Sequence, residues 1–319
     1  MTNNRRLPAE WESCFTSVMI ARPHAATDWA PMLDEVTSCY DSLVAAIAEA
    51  GMEIIETGDN TNDTWTRDYG PITVEDGPDL RLFDFTFNGW GMKFAADKDN
   101  LVNSRLFAET VNRRGFVLEG GSIESDGRGT LMTTSRCLLS PNRNAQLGRD
   151  DIEEYLKAEF GLKQVLWVDH GFLEGDDTDS HIDTLARLAP HDTILYCGAG
   201  NETGAQHDSL VAMARQLRSF MTPDGRPFNL IELPLPDPIF DDEGERLPAT
   251  YANYLATPKA ILMPTYGQPR NDRLAADTLR IVYGDRRIIT VDCRALIRQH
   301  GSLHCATMQL PKVKLKPQK

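Results

Sequence analysis

One local order of elements, a helix, a strand, a loop and two further strands, recurs about five times along this chain. In its first occurrence Leu33, Val36, Tyr40, Leu43, Val44, Ile47 and Ala48 fall at helical spacing. Gly51 then stands where a helix ends. Met52–Glu56 reads as a strand, residues 60–70 as a polar loop, and residues 71–74 and 80–87 as strands. The order returns with a helix over residues 103–113 and strands at 116–119, near Ser122 and near Thr130. A helix over 150–160 precedes strands at 164–168, 181–188 and 193–197. A helix over 206–221 precedes strands at 230–233, 251–256 and 260–263, and a last helix over 273–283 precedes strands at 288–291 and 303–309. The spacing is too uneven for a solenoid, and repetition of a strand-bearing unit is what radial architectures show. A closed ring of five small α/β blades fits, with a doubly wound open sheet as its competitor. The last repeat lacks a closing strand, which residues 17–21 would supply, and the basic tail Lys312–Lys319 reads as frayed.

A chain of 319 residues allows one large domain or two smaller ones, and no Pro/Ser-rich linker divides it, so one domain over residues 1–319 is expected. The net charge of −14 disfavours nucleic acid, whose binding needs a basic surface, and is compatible with a small cationic substrate. No apolar run approaches the roughly 20 residues of a membrane span. The octet Met1-Thr2-Asn3-Asn4-Arg5-Arg6-Leu7-Pro8 has no apolar signal core behind it, so the cytoplasm is the expected location. Six cysteines (14, 39, 137, 197, 293 and 305) are scattered without zinc-ligand spacing. They read as small buried hydrophobes, with room for one nucleophile.

Asp176-Asp177-Thr178-Asp179-Ser180-His181-Ile182-Asp183 packs four carboxylates and one imidazole into eight positions. If the part from His181 on is a strand, His181 and Asp183 share a face, a proton carrier beside an anion. In a ring, the segments after each unit's first strand face one end of the axis. Asp68, Glu119, the pair His181 and Asp183, and Cys305 fall there, while the fourth unit offers only Tyr251 and Asn253. Four ionisable contributions aimed at one place describe an enzyme's concave site.

Five segments carry a family likeness: Trp65-Thr66-Arg67-Asp68-Tyr69-Gly70-Pro71, Leu118-Glu119-Gly120-Gly121-Ser122, Cys137 to Asn144, Asp176 to Asp183, and Leu303-His304-Cys305. Together they resemble the agmatine deiminase and bacterial peptidylarginine deiminase family of guanidine-modifying enzymes, from Pro8-Ala9-Glu10-Trp11 to Gln309. The resemblance implies a five-bladed α/β propeller, the pentein fold, with pseudo-fivefold ββαβ repeats. It also implies hydrolysis of a guanidinium group, with agmatine going to N-carbamoylputrescine and ammonia. Asp68 and Asp183 would then grip the guanidinium and Cys305 would attack its central carbon. His181 would protonate the departing nitrogen and later activate water, and Glu119 would keep His181 oriented and cationic. Trp65 would pack on the substrate's alkyl stem. Asp177 would pair with a substrate amine. No metal or cofactor is required, and the assembly considered is a homodimer. The approach to the cysteine, Arg298-Gln299-His300-Gly301-Ser302-Leu303-His304-Cys305, departs from the family's Gly-Gly-Asn-Ile-His-Cys, which leaves the substrate's tail the open variable.

Each residue also has a plainer reading. Asp68 could cap a turn, Glu119 could end a strand in solvent, and His181 could be structural. Asp176 and Asp179 read as solvated, Arg67 and Arg143 as structural partners of carboxylates, Cys137 as an inert buried thiol, and Trp90 as loop packing. The alternatives in function are a deiminase of arginine or peptidylarginine, an amidinotransferase, and a non-catalytic propeller that binds a partner.

Overall fold

The computed structural model of the chain describes residues 4–201 and 203–317. Met1–Asn3, which begin the octet read for a signal segment, and the last two residues of the basic tail lie outside them. Among the described residues the strands form five separate sheets, four of three strands and one of four. All five share one connectivity. A central strand pairs antiparallel with one neighbour and parallel with the strand that follows a helix.

The central strands are Phe15–Ile20, Asp79–Thr86, Thr130–Thr134, Thr193–Cys197 and Ala260–Thr265. The corresponding helices are Leu33–Glu49, Asp99–Leu106, Arg149–Phe160, Ala205–Leu217 and Pro269–Tyr283. Each parallel partner has to be reached by a crossover, and the helix is that crossover. Leu33–Glu49 shows the mechanism. Its buried residues Val36, Cys39, Tyr40, Leu43, Ala46 and Ile47 form one stripe, and Asp34 and Glu35 sit in the first turn, where acidic groups favour the helix dipole. Each large apolar side chain fully buried there adds roughly 1.5–3 kcal/mol. Arg149–Phe160 ends at Gly161, which is left-handed (φ 66°) and lies so near Arg5 that a Cβ would meet its carbonyl oxygen at 1.9 Å. Only glycine fits both demands.

Leu255–Ala256, Ala260–Thr265 and Arg287–Asp292 form one sheet. The strand that closes the last repeat comes from the start of the chain, as the sequence pattern implies. Met308–Pro311 pairs antiparallel with Phe15–Ile20, Met308 opposite Met19, so the two ends of the chain share one sheet. The described part of the basic tail, residues 312–317, is pinned and not frayed. Lys316 N donates to Leu106 O at 2.8 Å and Ala108 N donates to Lys314 O at 2.9 Å.

Several element boundaries move: the strand expected over 251–256 is only Leu255–Ala256, and that expected over 303–309 is Met308–Pro311. The helix expected over 103–113 lies at Asp99–Leu106, and Val111–Val117 is a strand. Parallel pairing of Val111–Arg113 with Phe83–Phe85, with the Arg113 guanidinium 4.5 Å from the centre of the Phe83 ring, overrides the local helical pattern. The strand expected over 181–188 is only Ala186–Ala189, preceded by a 3-10 turn at Ile182–Thr184. Thr184 caps that turn by donating both its N–H and its hydroxyl to His181 O. Among the described residues no helix is long and apolar enough to cross a membrane.

Candidate active site

Each of the five connections that leads from one sheet into the next delivers one polar group or pair. Asp68 lies in the short helix Thr66–Tyr69. Glu119 precedes the 3-10 turn Gly120–Ser122. His181 and Asp183 flank Ile182, Asn253 precedes Leu255–Ala256, and Cys305 precedes Met308–Pro311. All six are at most 4% exposed. None of them sits in a strand. The premise that His181 and Asp183 share the face of a strand is therefore corrected: the 3-10 turn, not pleat alternation, brings them together.

Gly121 marks the point of convergence. A Cβ built on it would stand 2.7 Å from His181 Nδ1, 2.9 Å from Asp68 Oδ1 and 3.1 Å from Asp183 Oδ2. Its own N–H donates to Asp68 Oδ1 at 3.0 Å. Trp90 Nε1 donates to the other oxygen, Asp68 Oδ2, at 2.9 Å. Trp90 therefore does more than pack a loop: it orients this carboxylate. It does so with left-handed backbone (φ 54°), an uncommon conformation for an aromatic residue.

His181 Nε2 is 2.8 Å from Glu119 Oε2, and its Nδ1 is 3.6 Å from Asp68 Oδ1. Nδ1 has no hydrogen-bond partner among the described residues. Burial alone would push His181 down. The Asp68 and Glu119 carboxylates outweigh it and hold the imidazole well above its ordinary value. Burial would likewise raise Glu119, but His181 and Arg143 hold it below the usual carboxylate range. Arg143 Nε contacts both Glu119 oxygens, at 3.1 and 2.9 Å, and Arg143 Nη1 reaches Asp179 Oδ2 at 2.6 Å. Asp179 also takes Lys93 Nζ at 2.9 Å. Asp179 is thus an ion-pair partner and not a solvated charge. Asp176 is structural too, accepting the Ser180 N–H at 2.7 Å. Cys137 Sγ lies 3.6 Å from Glu119 Oε2, so Glu119, Cys137 and His181 bring three ligand-type atoms together. The Arg143 cation already pairs with that carboxylate, which disfavours a metal ion there.

Cys305 Sγ is 3.3 Å from Asn253 Nδ2 and 3.9 Å from Asp183 Oδ2. Burial, then Asp183 and Asp68, push its thiol well above the ordinary value. Asp183 itself is held low: burial would raise it, but the bond from His304 Nδ1 at 2.7 Å prevails. Asp183 Oδ1 has no partner among the described residues. Burial, with Asp183 and Glu119 adding like charge against the pull of His181, brings Asp68 up to about 6.

A cavity of about 200 Å³ opens over these groups, with Asp68 and Cys305 in its floor. Trp65, Trp90 and Phe94 form aromatic walls, and Asp28, Asp63 and Asp177 bring further carboxylates. Asp177 is raised by burial and by Asp176 against the pull of His300. Gly301 lies against Trp65, so close that a Cβ would meet its ring at 2.5 Å. Every site residue expected from sequence is therefore at this cavity or in its floor network. Sequence reasoning missed the roles of Asn253, His304 and Trp90, whereas Arg143, read as a partner of carboxylates, pairs with Glu119 and Asp179.

A profile of the Porphyromonas-type peptidyl-arginine deiminases matches residues 6–311. A curated relative from Mycoplasma mycoides subsp. mycoides, named "Putative agmatine deiminase", is 34% identical over 295 residues, which is 84% of this chain and 79% of that protein. The solved structure of C. jejuni agmatine deiminase with substrate bound is 37% identical, with TM-score 0.90 and 97% of each chain covered. A dimethylarginine dimethylaminohydrolase, 15% identical with TM-score 0.57, covers 93% of this chain and 100% of its own, and shares the fold alone.

Proposed function

Because the chain belongs to the Porphyromonas-type peptidyl-arginine deiminase family, and with it to the hydrolases of C–N bonds in linear amidines, we propose that it deiminates agmatine through a cysteine-bound intermediate. The observation that carries the reading is the common aim of three groups. The unpartnered His181 Nδ1, Asp68 Oδ1 and Asp183 Oδ2 meet at one spot beside Gly121, and Cys305 Sγ lies 3.9 Å from that Asp183 oxygen.

A guanidinium is planar and resonance-stabilised, so its carbon is a poor electrophile. Asp68 and Asp183 grip its N–H groups and fix its plane. Without a bound cation, burial and the two carboxylates keep the Cys305 thiol protonated. A bound cation offsets their charge, which lets the thiolate form. Sulfur then adds to the central carbon. The imidazolium of His181 gives its proton to one terminal nitrogen, the C–N bond breaks, and ammonia leaves. The product on the enzyme is a thiouronium. Neutral His181 next takes a proton from water as the water oxygen adds to the same carbon. Cleavage of the C–S bond, with the hydroxyl proton lost to solvent, returns the thiolate and releases N-carbamoylputrescine. Glu119, fixed by Arg143, keeps His181 cationic for the first step.

The cavity lining supports an amine-bearing tail over a carboxylate-bearing one. It carries Asp28, Asp63 and Asp177 and, among the described residues, no lysine or arginine. The α-carboxylate of arginine would meet these acids unpaired. The amine of agmatine would pair with Asp177, and Trp65 would pack along its alkyl stem. We also read the five like-connected sheets as blades of a five-bladed α/β propeller. The sharing of one sheet by both chain ends supports that ring. A reduced thiol at Cys305 suits the cytoplasmic location expected of the chain.

Ammonia release from agmatine, arginine and a peptidylarginine, with Cys305→Ser as control, tests the reading. Turnover of agmatine above the other two, abolished in Cys305→Ser, is expected. Release from none of the three would overturn it, and preference for arginine would overturn the assignment of the tail.

A further inference from the structure

Behind the cavity lies a second group of buried polar side chains, Glu10, Glu124, Arg187 and His304, none more than 8% exposed. His304 joins it to the site. Its Nδ1 is 2.7 Å from Asp183 Oδ2 and its Nε2 is 2.7 Å from Glu10 Oε2. Arg187 Nη2 holds the same Glu10 oxygen at 2.9 Å, and the Ala256 N–H donates to the other. Arg187 Nη1 also donates to the carbonyls of Ala252 and Tyr254, on either side of Asn253. Asn253 Oδ1 in turn accepts the N–H of His304 at 2.9 Å and of Cys305 at 3.3 Å. Glu10, Glu124 and His304 bring ligand-type atoms within 4.8 Å of one another, but the Arg187 guanidinium pairs with both carboxylates and occupies that place. The cluster is therefore a clamp, complete without an ion.

The clamp divides the two oxygens of Asp183. Oδ2, which lies 3.9 Å from Cys305 Sγ, takes the His304 bond. Oδ1 has no partner among the described residues. A carboxylate free to rotate would exchange these oxygens and lose the plane in which a guanidinium can be met.

We propose that His304 is a positioning residue: braced from behind by Glu10 and Arg187, it fixes the rotation of Asp183, so that Oδ2 keeps its place beside the sulfur and Gly121 while Oδ1 is left free to accept from the substrate cation. This inference rests on Asp183 being the group that grips the cation. A purely structural cluster would affect stability alone. A positioning residue must also affect how strongly the site prefers a planar cation.

The test compares alkylation of Cys305 by neutral iodoacetamide and by cationic, planar 2-chloroacetamidine at one pH, read by mass spectrometry on the Cys305 peptide. The variants are His304→Ala, His304→Gln and Glu10→Gln, with thermal melting as the check on folding. Wild-type protein should prefer the cationic reagent. That preference should fall about tenfold or more in His304→Ala, recover in part in His304→Gln, which keeps an N–H donor, and fall by a smaller factor in Glu10→Gln. A preference within twofold of wild type in the folded variants would overturn the proposal. So would a wild-type protein with no cationic preference. If His304→Ala does not fold, Glu10→Gln decides by the same ratio. Failure of ammonia release from every guanidine, with the wild-type preference intact, would sink the proposed reaction and leave this inference standing.

Discussion

His181 Nε2 lies 2.8 Å from Glu119 Oε2, and neither side chain has exposed surface. The pair is charged on both sides because each group shifts the other toward its ionised form: His181 is raised and Glu119 lowered, against the burial that opposes both. A raised histidine stabilises the fold fully below its unfolded value of about 6.5, and that stability is lost as pH rises through the folded value. A lowered glutamate stabilises above its unfolded value of about 4.3, and that is lost as pH falls through the folded value. The pair therefore contributes most between these limits.

Glu119→Gln should remove the charge that keeps His181 cationic and leave Arg143 without its buried carboxylate. Loss of one partner of a buried pair costs about 3–5 kcal/mol, and loss of a positioned acid slows a reaction by roughly 10²–10⁴-fold. Melting temperature followed from pH 5 to pH 9 should fall less steeply on the alkaline side in the variant than in wild type. Parallel curves would show that the pair does not carry the pH dependence.

Asp68 gives the acid limb of activity. With its pKa at about 6, it is protonated in the free protein below that pH and can no longer hold a cation. kcat/KM should fall about tenfold per pH unit below about 6. The stability slope has the opposite sign. The folded value lies above the unfolded one of about 3.9, so folding takes up a proton between them and the ionised carboxylate weakens the fold above about pH 6. Activity and the Asp68 share of stability should thus cross, and a pH–rate profile beside a pH–melting profile checks it.

Gly121→Ala should leave the backbone unstrained but fill the convergence point. The new methyl group would stand 2.7 Å from His181 Nδ1 and 2.9 Å from Asp68 Oδ1. A misplacement of about 1 Å can cost 100-fold, so kcat/KM should drop at least about 100-fold while the melting temperature changes far less. Near wild-type turnover would mean that the reacting atoms lie elsewhere.

Asp177→Asn should separate the tail from the head of the substrate. The carboxylate lies at the cavity and not in its floor network, so its loss should raise KM for agmatine about tenfold, the weight of one charged hydrogen bond, with kcat little changed. Arginine turnover should not suffer in the same way. A fall in kcat with KM unchanged would contradict a tail-binding role.

Local pattern made much of this protein legible. The recurring unit followed from apolar spacing and helix-ending glycines, and the reactive residue types stood in the right order along it. Asp68, Glu119, His181, Asp183 and Cys305 could be picked out because each lies in a polar connection between apolar runs, where a side chain is not needed for packing. The same logic failed wherever a contact spans the chain. His181 and Asp183 meet through a 3-10 turn because the hydroxyl and N–H of Thr184 close it onto His181 O, which periodicity alone does not record. The Glu10–His304 bond joins residues 294 positions apart, and no local pattern records it. Sequence by itself fixed the units and the chemistry available to them. Tertiary structure alone decided which buried charge faces which, because a charge taken out of water must find its partner wherever closure of the chain brings one, regardless of separation along it.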